Sequence, residues 1–310
     1  MIWVFIVSGT LATLYIIWIG FLFHGWLTLP VYRPKRDSVC FTTVVVPVRN
    51  EEGNLSKLLE SLVRQDYPLK YFEILVVDDH SVDKTANIAE KYIGLYPNIR
   101  LIKLTGDHKG KKAAISEGVF RARHDLIVTT DADCTMGKSW LGELVSYYSE
   151  HRSSVIAGPI FLKGGQGFAG FFQKLEFISL VAASAGAINI KKPLMCNGAN
   201  LAFRKKDYKK VSPNLKMHLA SGDDVFFLHA VKKLNNSGIH FIKSPAAIVY
   251  TPAVNTLKGF LNQRRRWTAK SKNYSQISPV FTSLLILSVN VLLLGLLFAG
   301  FFRFEYHLKK

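Results

Sequence analysis

The sequence predicts an α/β fold in which a mostly parallel sheet is covered by helices on both faces, with a transmembrane helix at each end. Two observations support this prediction. Short apolar runs alternate with amphipathic helical stretches between residues 42 and 129, and long uncharged apolar segments lie on either side. The alternation is typical of a buried parallel sheet. Because 49% of the 310 residues are hydrophobic and 20% are charged, a disordered chain is excluded.

The first apolar segment, residues 1–29, contains no Asp, Glu, Lys or Arg. It exceeds the ~20 residues that a helix needs to cross a bilayer. A cleaved signal peptide is the alternative, but the segment has neither a basic N-terminal region nor a short apolar core with a small-residue cleavage site. We therefore expect a transmembrane helix here.

The second apolar segment, residues 279–302, begins with Ser278-Pro279, which suits a helix start, and stays uncharged until Arg303. A buried core helix is the alternative. Basic residues crowd the inner ends of both segments, so the positive-inside rule places the intervening domain in the cytoplasm, at the inner membrane of a bacterium. The inner ends carry Arg33, Lys35, Arg36, Arg264, Arg265, Arg266, Lys270 and Lys272, while Arg303, Lys309 and Lys310 in the tail count against this orientation.

The stretch between the apolar segments, residues 40–270, is expected to form one domain. Its apolar runs and helical periodicities predict strands and helices in alternation. The predicted strands are 42–46, 73–77, 99–104 and 126–129, and the predicted helices are 52–66, 83–95 and 110–122.

Polar clusters follow three of these strands, at 47–52, 78–79 and 131–133. Ligands of such sheets bind outside the carboxyl ends of the strands, so we expect the functional site at this edge. The chain has no GxGxxG after a strand and no GxxxxGK[ST], which excludes the usual dinucleotide and phosphate-binding loops.

Asp131 and Asp133 are two residues apart, so in extended backbone both carboxylates leave on one side of the chain. Such a pair suits a hard divalent cation, Mg²⁺ or Mn²⁺. The alternative is a turn in which the first Asp caps the next helix.

Asp78 and Asp79 can accept a hydrogen bond from the imide N–H of a uracil ring, whereas Ser81 and Asp83 resemble caps of the following helix. Lys109, Lys111 and Lys112 surround Gly110 at a helix start, where cations are unfavourable. They indicate a phosphate partner, or alternatively a solvated charged face.

Six segments in order resemble glycosyltransferase family 2, whose members share the GT-A fold and include cellulose, chitin, hyaluronan and poly-N-acetylglucosamine synthases and ceramide glucosyltransferase. The resemblance runs from about residue 42 to 270. The segments are VVVPVRNEE, VVDDHSVD, GKKAAIS, TTDADC, SGDDVFF and QRRRW, the last matching the QxxRW motif of the membrane-bound processive subgroup.

The resemblance implies an inverting transferase that takes a sugar from a UDP-sugar and passes it to a lipid or glycan acceptor at the membrane, with no nucleic-acid partner. It assigns Asp79 to the uracil, Asp131 to the ribose or diphosphate side and Asp133, with Asp131, to the metal. Asp224, within the pair Asp223-Asp224, is the implied catalytic base. Further implied residues are Pro47, Asn50, Glu51, Asp78 and Lys111 for the donor, and Gln263, Arg266 and Trp267 for the acceptor and diphosphate.

Elementary chemistry agrees with these roles. The departing diphosphate needs a cation or an arginine to neutralise its charge, and the attacking hydroxyl needs a base such as Asp224. One base without a second carboxylate nucleophile implies single displacement with inversion. Trp267 offers a flat face for a sugar ring, or alternatively packs in the core.

Two features depart from the family pattern. His80 replaces the usual Gly, and Gly222-Asp223 replaces the usual Thr-Glu before the base, so the acceptor pocket is expected to differ from that of the synthases. The apolar stretch 168–185 is expected to lie in the membrane interface or to be a buried helix. Two transmembrane helices are also fewer than a translocation channel needs.

The formal net charge of +18 is compatible with nucleic acid, anionic lipid or a phosphorylated substrate. A metal-dependent nucleotidyltransferase and a non-enzymatic basic adaptor are therefore the competing hypotheses. The first lacks a Gly-rich basic loop after the first strand, and the second leaves the strand-end aspartates unexplained. Cys40, Cys134 and Cys196 are too few for a disulfide framework.

Overall fold

The structure is a computed structural model, and it describes residues 2–34, 38–215, 223–271, 274 and 276–308. Its centre is a seven-stranded sheet with the strand order β3-β2-β1-β4-β8-β6-β9. The strands of this sheet are β1 (Thr42–Val48), β2 (Phe72–Asp78), β3 (Ile99–Lys103), β4 (Leu126–Thr129), β6 (Val155–Ala157), β8 (Leu201–Arg204) and β9 (Ile239–Phe241).

The four predicted strands form the parallel half of this sheet. β1 pairs in parallel with β2, from Thr42 opposite Phe72 to Val48 opposite Asp78, and with β4 on its other side. β8 runs antiparallel between β4 and β6. The antiparallel β8 makes the sheet mixed. Most of its strand pairs are nevertheless parallel, so the expectation of a mostly parallel α/β sheet is confirmed.

Neighbouring side chains of each buried strand point to opposite faces of the sheet. Both faces are therefore apolar, and helices cover both of them. Val44, Val46 and Val48 of β1 pack in one apolar core, whereas Val45 packs in the other. The helices of this domain are α2 (Leu55–Val63), α3 (Thr85–Ile93), α4 (Lys111–Arg121), α5 (Trp140–His151), α7 (Lys205–Val211) and α8 (Asp223–Leu234).

A second, three-stranded sheet was not predicted. It has the order β5-β10-β7, formed by β5 (Thr135–Met136), β7 (Ile160–Lys163) and β10 (Val249–Pro252). β5 begins two residues after Asp133, so this sheet lies beside the end of β4 where the site was expected.

Among the residues that the structure describes, three helices are long and apolar enough to cross a membrane: α1 (Ile2–Thr28), α6 (Gly167–Asn189) and α10 (Ile277–Leu308). α1 and α10 lie at the predicted terminal positions and pack against each other. The indole N–H of Trp18 donates to the Thr282 hydroxyl at 3.0 Å, and its ring meets Phe281 edge-on at 5.3 Å.

α6 differs from the two terminal helices. In its most apolar window 39% of the residues are buried, against 6% in α1 and in α10. It lies against α1, where an added Cβ at Gly186 would overlap the carbonyl oxygen of Leu22. The Asn189 side chain donates to the Gly25 carbonyl at 2.9 Å.

Both ends of α6 connect to the α/β domain. It follows β7 closely, and the segment after it returns to the domain, where the Leu194 carbonyl is 3.0 Å from His229 Nε2. α6 is therefore attached to the α/β domain at both of its ends. The remaining helix, α9 (Leu257–Ser271), joins it through an ion pair between Arg264 and Glu176.

Candidate functional site

The loops that follow β1 and β2 are joined by hydrogen bonds at the carboxyl edge of the sheet. Asn50 has a left-handed backbone (φ 54°), and its N–H donates to the Ser81 hydroxyl at 3.0 Å. Its side-chain oxygen accepts from the Val82 N–H at 2.9 Å. The Glu51 N–H donates to the Thr85 hydroxyl at 2.7 Å. These bonds hold the predicted donor residues Asn50 and Glu51 against the second loop.

Ser81 and Asp83 were both predicted to cap the helix after β2. Asp83 does accept from the Thr85 N–H, at 3.0 Å, in the first turn of α3. Ser81 instead joins the two loops through Asn50, so the prediction for Ser81 is wrong. The two helices begin later than predicted, at Leu55 and Thr85, because the residues before them form these loop contacts.

Asp79 is a buried carboxylate at the end of β2. Its Oδ2 accepts from the Gly110 N–H at 2.9 Å and from Arg49 Nη1 at 3.4 Å, and its Oδ1 lies 3.1 Å from His80 Nδ1. Burial raises the pKa of Asp79, but the bonds from Gly110 and His80 and the Arg49 charge outweigh burial and leave that pKa below its ordinary value. Asp79 is therefore ionised. Asp78 next to it accepts from the Ser81 N–H at 3.1 Å.

The predicted lysine cluster separates in the structure. Gly110, with φ 94°, turns the chain into α4, and Lys111 Nζ lies 2.5 Å from Asp131 Oδ1. Lys112 is buried on the sheet side, with its ammonium 5.2 Å from the Phe226 ring centre. Lys111 therefore faces the carboxylates, whereas Lys112 faces the region of α8.

Asp131 and Asp133 follow β4, as predicted. Asp133 Oδ2 is 3.5 Å from the Thr251 hydroxyl of β10, and its Oδ1 is 3.6 Å from Cys134 Sγ. Burial and, second, the Asp131 charge raise the pKa of Asp133. Burial also raises the pKa of Glu51, with contributions from Asp133 and Asp131. Three carboxylates thus concentrate negative charge at one place.

This charge fits a divalent cation that binds together with a substrate. Within the described residues, no group of three or more Asp, Glu, His or Cys side chains is arranged to hold a metal by itself. Mg²⁺ and Mn²⁺ are commonly held by one or two carboxylates, with phosphate oxygens and water as the other ligands. Asp133 and Asp131 supply that number of protein ligands.

Asp224 lies in the first turn of α8. Its Oδ2 accepts from the Gly198 N–H at 3.2 Å, and the Gly198 carbonyl accepts from the Thr129 hydroxyl at 2.6 Å. Because β8 runs against β4, its N-terminal end brings Gly198 to the edge where β4 ends. Asp224 is thereby tied to the strand that precedes Asp131. Ser221, Gly222 and the Asp223 side chain lie outside the described residues.

Asp224 also lines a pocket whose other walls are mostly apolar and aromatic. The pocket lies between α4, β4, β8, α7 and α8. Its lining residues are Lys112, Ile115, Thr129, Gly198, Leu201, Phe203, Tyr208, Leu215, Asp224, Phe226 and Phe227.

Tyr274 is a residue near Asp224 that no sequence motif predicts. Its ring lies 6.2 Å from Phe226 and 5.5 Å from His229. Burial, then the charges of Asp224 and Cys196, raises the pKa of Tyr274 to about 12. It follows the QRRRW segment without a motif of its own, so only the fold brings it to Asp224.

The QRRRW segment forms the middle of α9. Trp267 packs 6.2 Å from the Phe177 ring of α6, and the Arg264 guanidinium lies 4.3 Å from the Trp267 ring centre. Gln263 is half-buried and Arg266 is exposed. Arg264, rather than Arg266, is thus the arginine that faces Trp267 and α6.

Pro47 is the last predicted donor residue. It lies in β1 opposite Val77, one residue before the strand end, and so precedes the loop that carries Asn50. The structure thus gathers the predicted donor residues at one edge, and Asp133 with them.

Comparisons with known proteins agree with this architecture. A family model described as "Glycosyl transferase family 2" matches residues 43–212, which is more than half of the chain. The chain is 26% identical over 280 residues to the probable glycosyltransferase YdaM of Bacillus subtilis. That alignment covers 84% of this chain and 65% of YdaM, so the chain spans less than two thirds of the length of this curated relative.

Two solved structures have the same fold. One is the mannosyltransferase PcManGT from Pyrobaculum calidifontis in complex with GDP-Man and Mn²⁺, with a TM-score of 0.63 and 20% identity, covering 91% of this chain and 80% of PcManGT. The other is TarS 1-349 from S. aureus in complex with UDP-GlcNAc, with a TM-score of 0.54 and 24% identity, covering 69% of this chain and 59% of the TarS chain. Together with the extent of the family match, the fold and the ordered strand-end motifs show that the chain belongs to glycosyl transferase family 2 and has the GT-A fold.

Proposed function

We propose that the protein transfers a sugar from a UDP-sugar to an acceptor held at a membrane, by a single displacement with inversion at the anomeric carbon. The observation that carries this proposal is the arrangement at the end of β4. Asp131, paired with Lys111, and Asp133 lie at this strand end. The Asp224 carboxylate reaches the same edge because it accepts from the N–H of Gly198, whose carbonyl accepts from Thr129 of β4.

The donor half uses the loops at the carboxyl edge. Asp79 is proposed to accept from the nucleobase, and Pro47, Asn50, Glu51 and Asp78 shape the surrounding loop pair. Lys111 places an ammonium beside Asp131, where it can meet phosphate oxygens. The UDP-GlcNAc bound by TarS and the GDP-Man bound by PcManGT support a nucleotide-sugar donor.

Asp133, with Asp131, would hold Mg²⁺ or Mn²⁺, which when bound neutralises charge on the departing diphosphate. The Mn²⁺ in PcManGT supports a divalent metal. The protein's own residues bind and orient the donor, and Arg266, Gln263 and Trp267 of α9 are proposed to line the diphosphate and acceptor side.

Asp224 is proposed as the general base. Its Oδ2 accepts from the Gly198 N–H and its Oδ1 from the Val225 N–H at 2.8 Å, so the carboxylate is held in one orientation. The proton of the attacking hydroxyl passes to this carboxylate as the bond to the anomeric carbon forms. The bond from that carbon to the diphosphate oxygen breaks in the same step.

The acceptor is proposed to be a lipid or a lipid-linked glycan. α6 is tied to the domain at both ends, yet its N-terminal half exposes the apolar side chains Phe168 (83% exposed), Phe171, Phe172, Leu175 and Ile178. Since α6 lies against α1, these side chains extend the apolar surface of a candidate transmembrane helix. An interfacial helix at the membrane surface fits this arrangement.

The domain is proposed to lie on the cytoplasmic side. Arg33 follows α1, and Arg265 and Arg266 in α9 precede α10, which under the positive-inside rule supports this side of the membrane. Lys35, Arg36 and Lys272 of the predicted basic clusters lie outside the described residues.

Release of the nucleoside diphosphate, UDP or GDP according to the donor, tests the proposal. Full-length protein in detergent, with Mn²⁺ and bacterial lipid extract, is given UDP-glucose, UDP-N-acetylglucosamine, UDP-galactose and GDP-mannose in turn. Asp224→Asn should reduce UDP release at least about 100-fold while leaving UDP binding intact. Asp66→Asn, an exposed carboxylate paired with Lys138, is the matched control.

Full turnover by Asp224→Asn would exclude Asp224 as the base. Release of pyrophosphate instead of UDP would identify a nucleotidyltransferase. Metal-dependent binding of UDP distinguishes either enzyme from a basic adaptor protein.

A further inference from the structure

His80 occupies a backbone position that favours glycine. Its φ is 57°, in the left-handed region that glycine adopts without strain and that few residues with a side chain adopt. The related family pattern has Gly here. The imidazole Nδ1 lies 3.1 Å from Oδ1 of Asp79, and the His80 side chain is 37% exposed.

The carboxylate that His80 contacts connects three loops. Asp79 itself directly follows β2, Arg49 follows β1, and Gly110 follows β3 and precedes α4. Because the Asp79 side chain is only 5% exposed, its orientation is set by these protein groups rather than by water. Gly110 precedes Lys111, which pairs with Asp131, so the contacts of Asp79 continue to the metal-binding side of the site.

The contact between Asp79 and His80 determines which role Nδ1 of the His80 ring plays in the hydrogen bond. An ionised carboxylate only accepts hydrogen bonds, so Nδ1 of His80 must carry the hydrogen. Within the described residues, Oδ2 of Asp79 has two partners and Oδ1 has one. A carboxylate oxygen accepts about two hydrogen bonds. Oδ1 can therefore accept one more hydrogen bond, and the contact with His80 determines the direction of its remaining lone pair.

We propose that His80 is a positioning residue for the donor nucleobase: it holds Asp79 Oδ1 so that the remaining lone pair meets the imide N–H of uracil. This inference rests on the proposed function, in which Asp79 contacts the base. It assigns a specific purpose to the imidazole at a backbone position where glycine would fit without strain.

Three variants separate the ring's hydrogen bond from the backbone position. His80→Gly keeps the left-handed backbone and removes the donor. His80→Asn and His80→Asp have similar shapes and both tolerate φ > 0, but only Asn carries an N–H donor for Asp79. Arg152→Gly is the control for glycine at a left-handed position, since Arg152 has φ 49° at the end of α5, away from the site.

Calorimetry on the full chain in detergent with Mn²⁺ measures the affinities for UDP and for pyrophosphate, which has no base. We expect His80→Gly and His80→Asp to weaken UDP binding about tenfold, the value of one hydrogen bond to a charged group. The KM for the donor should rise by the same factor with kcat within about twofold, because a contact to the base is equal in ground and transition states. Pyrophosphate binding should not change, and His80→Asn should restore UDP binding to within about threefold.

Wild-type affinity for UDP in both His80→Gly and His80→Asp would overturn the inference, as would equal losses in His80→Asn and His80→Asp. If His80→Gly fails to fold, the Asn and Asp variants decide the question by themselves. The proposed function fails separately, when the unaltered protein binds no nucleoside diphosphate.

Discussion

Lys111 Nζ lies 2.5 Å from Asp131 Oδ1, which joins the start of α4 to the residues after β4 across 20 positions of sequence. Both side chains are substantially exposed, 40% for Lys111 and 30% for Asp131. Ion pairs with this exposure stabilise a fold by less than about 1 kcal/mol. The pair is therefore better explained by charge placement at the site than by stability.

Replacing Lys111 should affect the donor rather than the fold. Lys111→Ala removes the ammonium that faces the diphosphate side, so we expect the KM for the UDP-sugar to rise about tenfold, as for the loss of a charge-assisted hydrogen bond. The midpoint of thermal unfolding should stay within about 2 °C. Lys138→Ala, which removes another exposed pair at 3.3 Å from Asp66, is the control and should change neither quantity. A large loss of stability with normal KM would show that the pair is structural.

Asp133→Asn should separate activity from stability. Burial and the Asp131 charge raise the pKa of Asp133, which means that its charged form is unfavourable in the folded protein. We expect the variant to lose Mn²⁺-dependent UDP binding and yet to unfold at the same or a higher temperature in EDTA. Calorimetry and differential scanning fluorimetry measure the two effects, with Asp66→Asn alongside. Retained metal-dependent binding would remove Asp133 from the metal site.

The contact between α1 and α6 can be tested with two glycines. An added Cβ at Gly186 would overlap the backbone of Leu22, whereas one at Gly20 has no atom within 4 Å. Gly186→Ala should lower the free energy of unfolding by about 1–3 kcal/mol. Gly20→Ala should leave it equal or raise it by up to about 1 kcal/mol. Thermal unfolding of both proteins in the same detergent measures this difference, and equal midpoints would show that α6 and α1 do not pack closely.

His229 predicts loss of stability in acid. Burial lowers the pKa of His229 to about 4, with smaller opposing effects from the Leu194 carbonyl and Asp224. The folded state therefore binds the proton less well than the unfolded chain, whose His pKa is ~6.5. Stability is fully present above pH ~6.5 and falls as the pH drops towards 4, by about 3 kcal/mol at pH 4 from this residue.

His229→Gln keeps a donor for the Leu194 carbonyl, 3.0 Å away, but does not titrate. Unfolding midpoints measured from pH 7.5 to pH 4 should therefore depend less on pH in this variant. His240, whose pKa burial also lowers to about 4, will leave part of the dependence in place. Identical pH profiles for the two proteins would show that His229 is not buried in its neutral form.

The sequence was informative where local pattern and chemistry coincide. β1, β2 and β4 are continuous apolar runs, and each is followed at once by polar residues of the site. The strands and these site residues could therefore both be predicted from the sequence. β5 and β6 contain two and three residues, which is too short for a periodicity, and β10 has four residues that end in a proline. Their pairing depends on tertiary contacts.

The same distinction applies to the site. Asp131 and Asp133 are neighbours in the chain, but the contact of Asp133 with Thr251 spans 118 positions. The resemblance implies a role for Arg266 within QRRRW, which stays a prediction, and the structure adds that Arg264 of the same motif lies between Phe260 and Trp267. The rotation of α9 relative to α6 decides which arginine contacts α6, and a five-residue motif does not contain that information.

β10 and α9 are separated by four residues, 253–256. Thr251 at one end of this connection contacts Asp133, and α9 at the other end is joined to α6 through Arg264 and Glu176. With α6 in the membrane interface, the reacting atoms would sit at a fixed height above the bilayer. Under the proposed function, an acceptor hydroxyl would reach the reacting atoms only if the spacer between it and its lipid anchor matched that height.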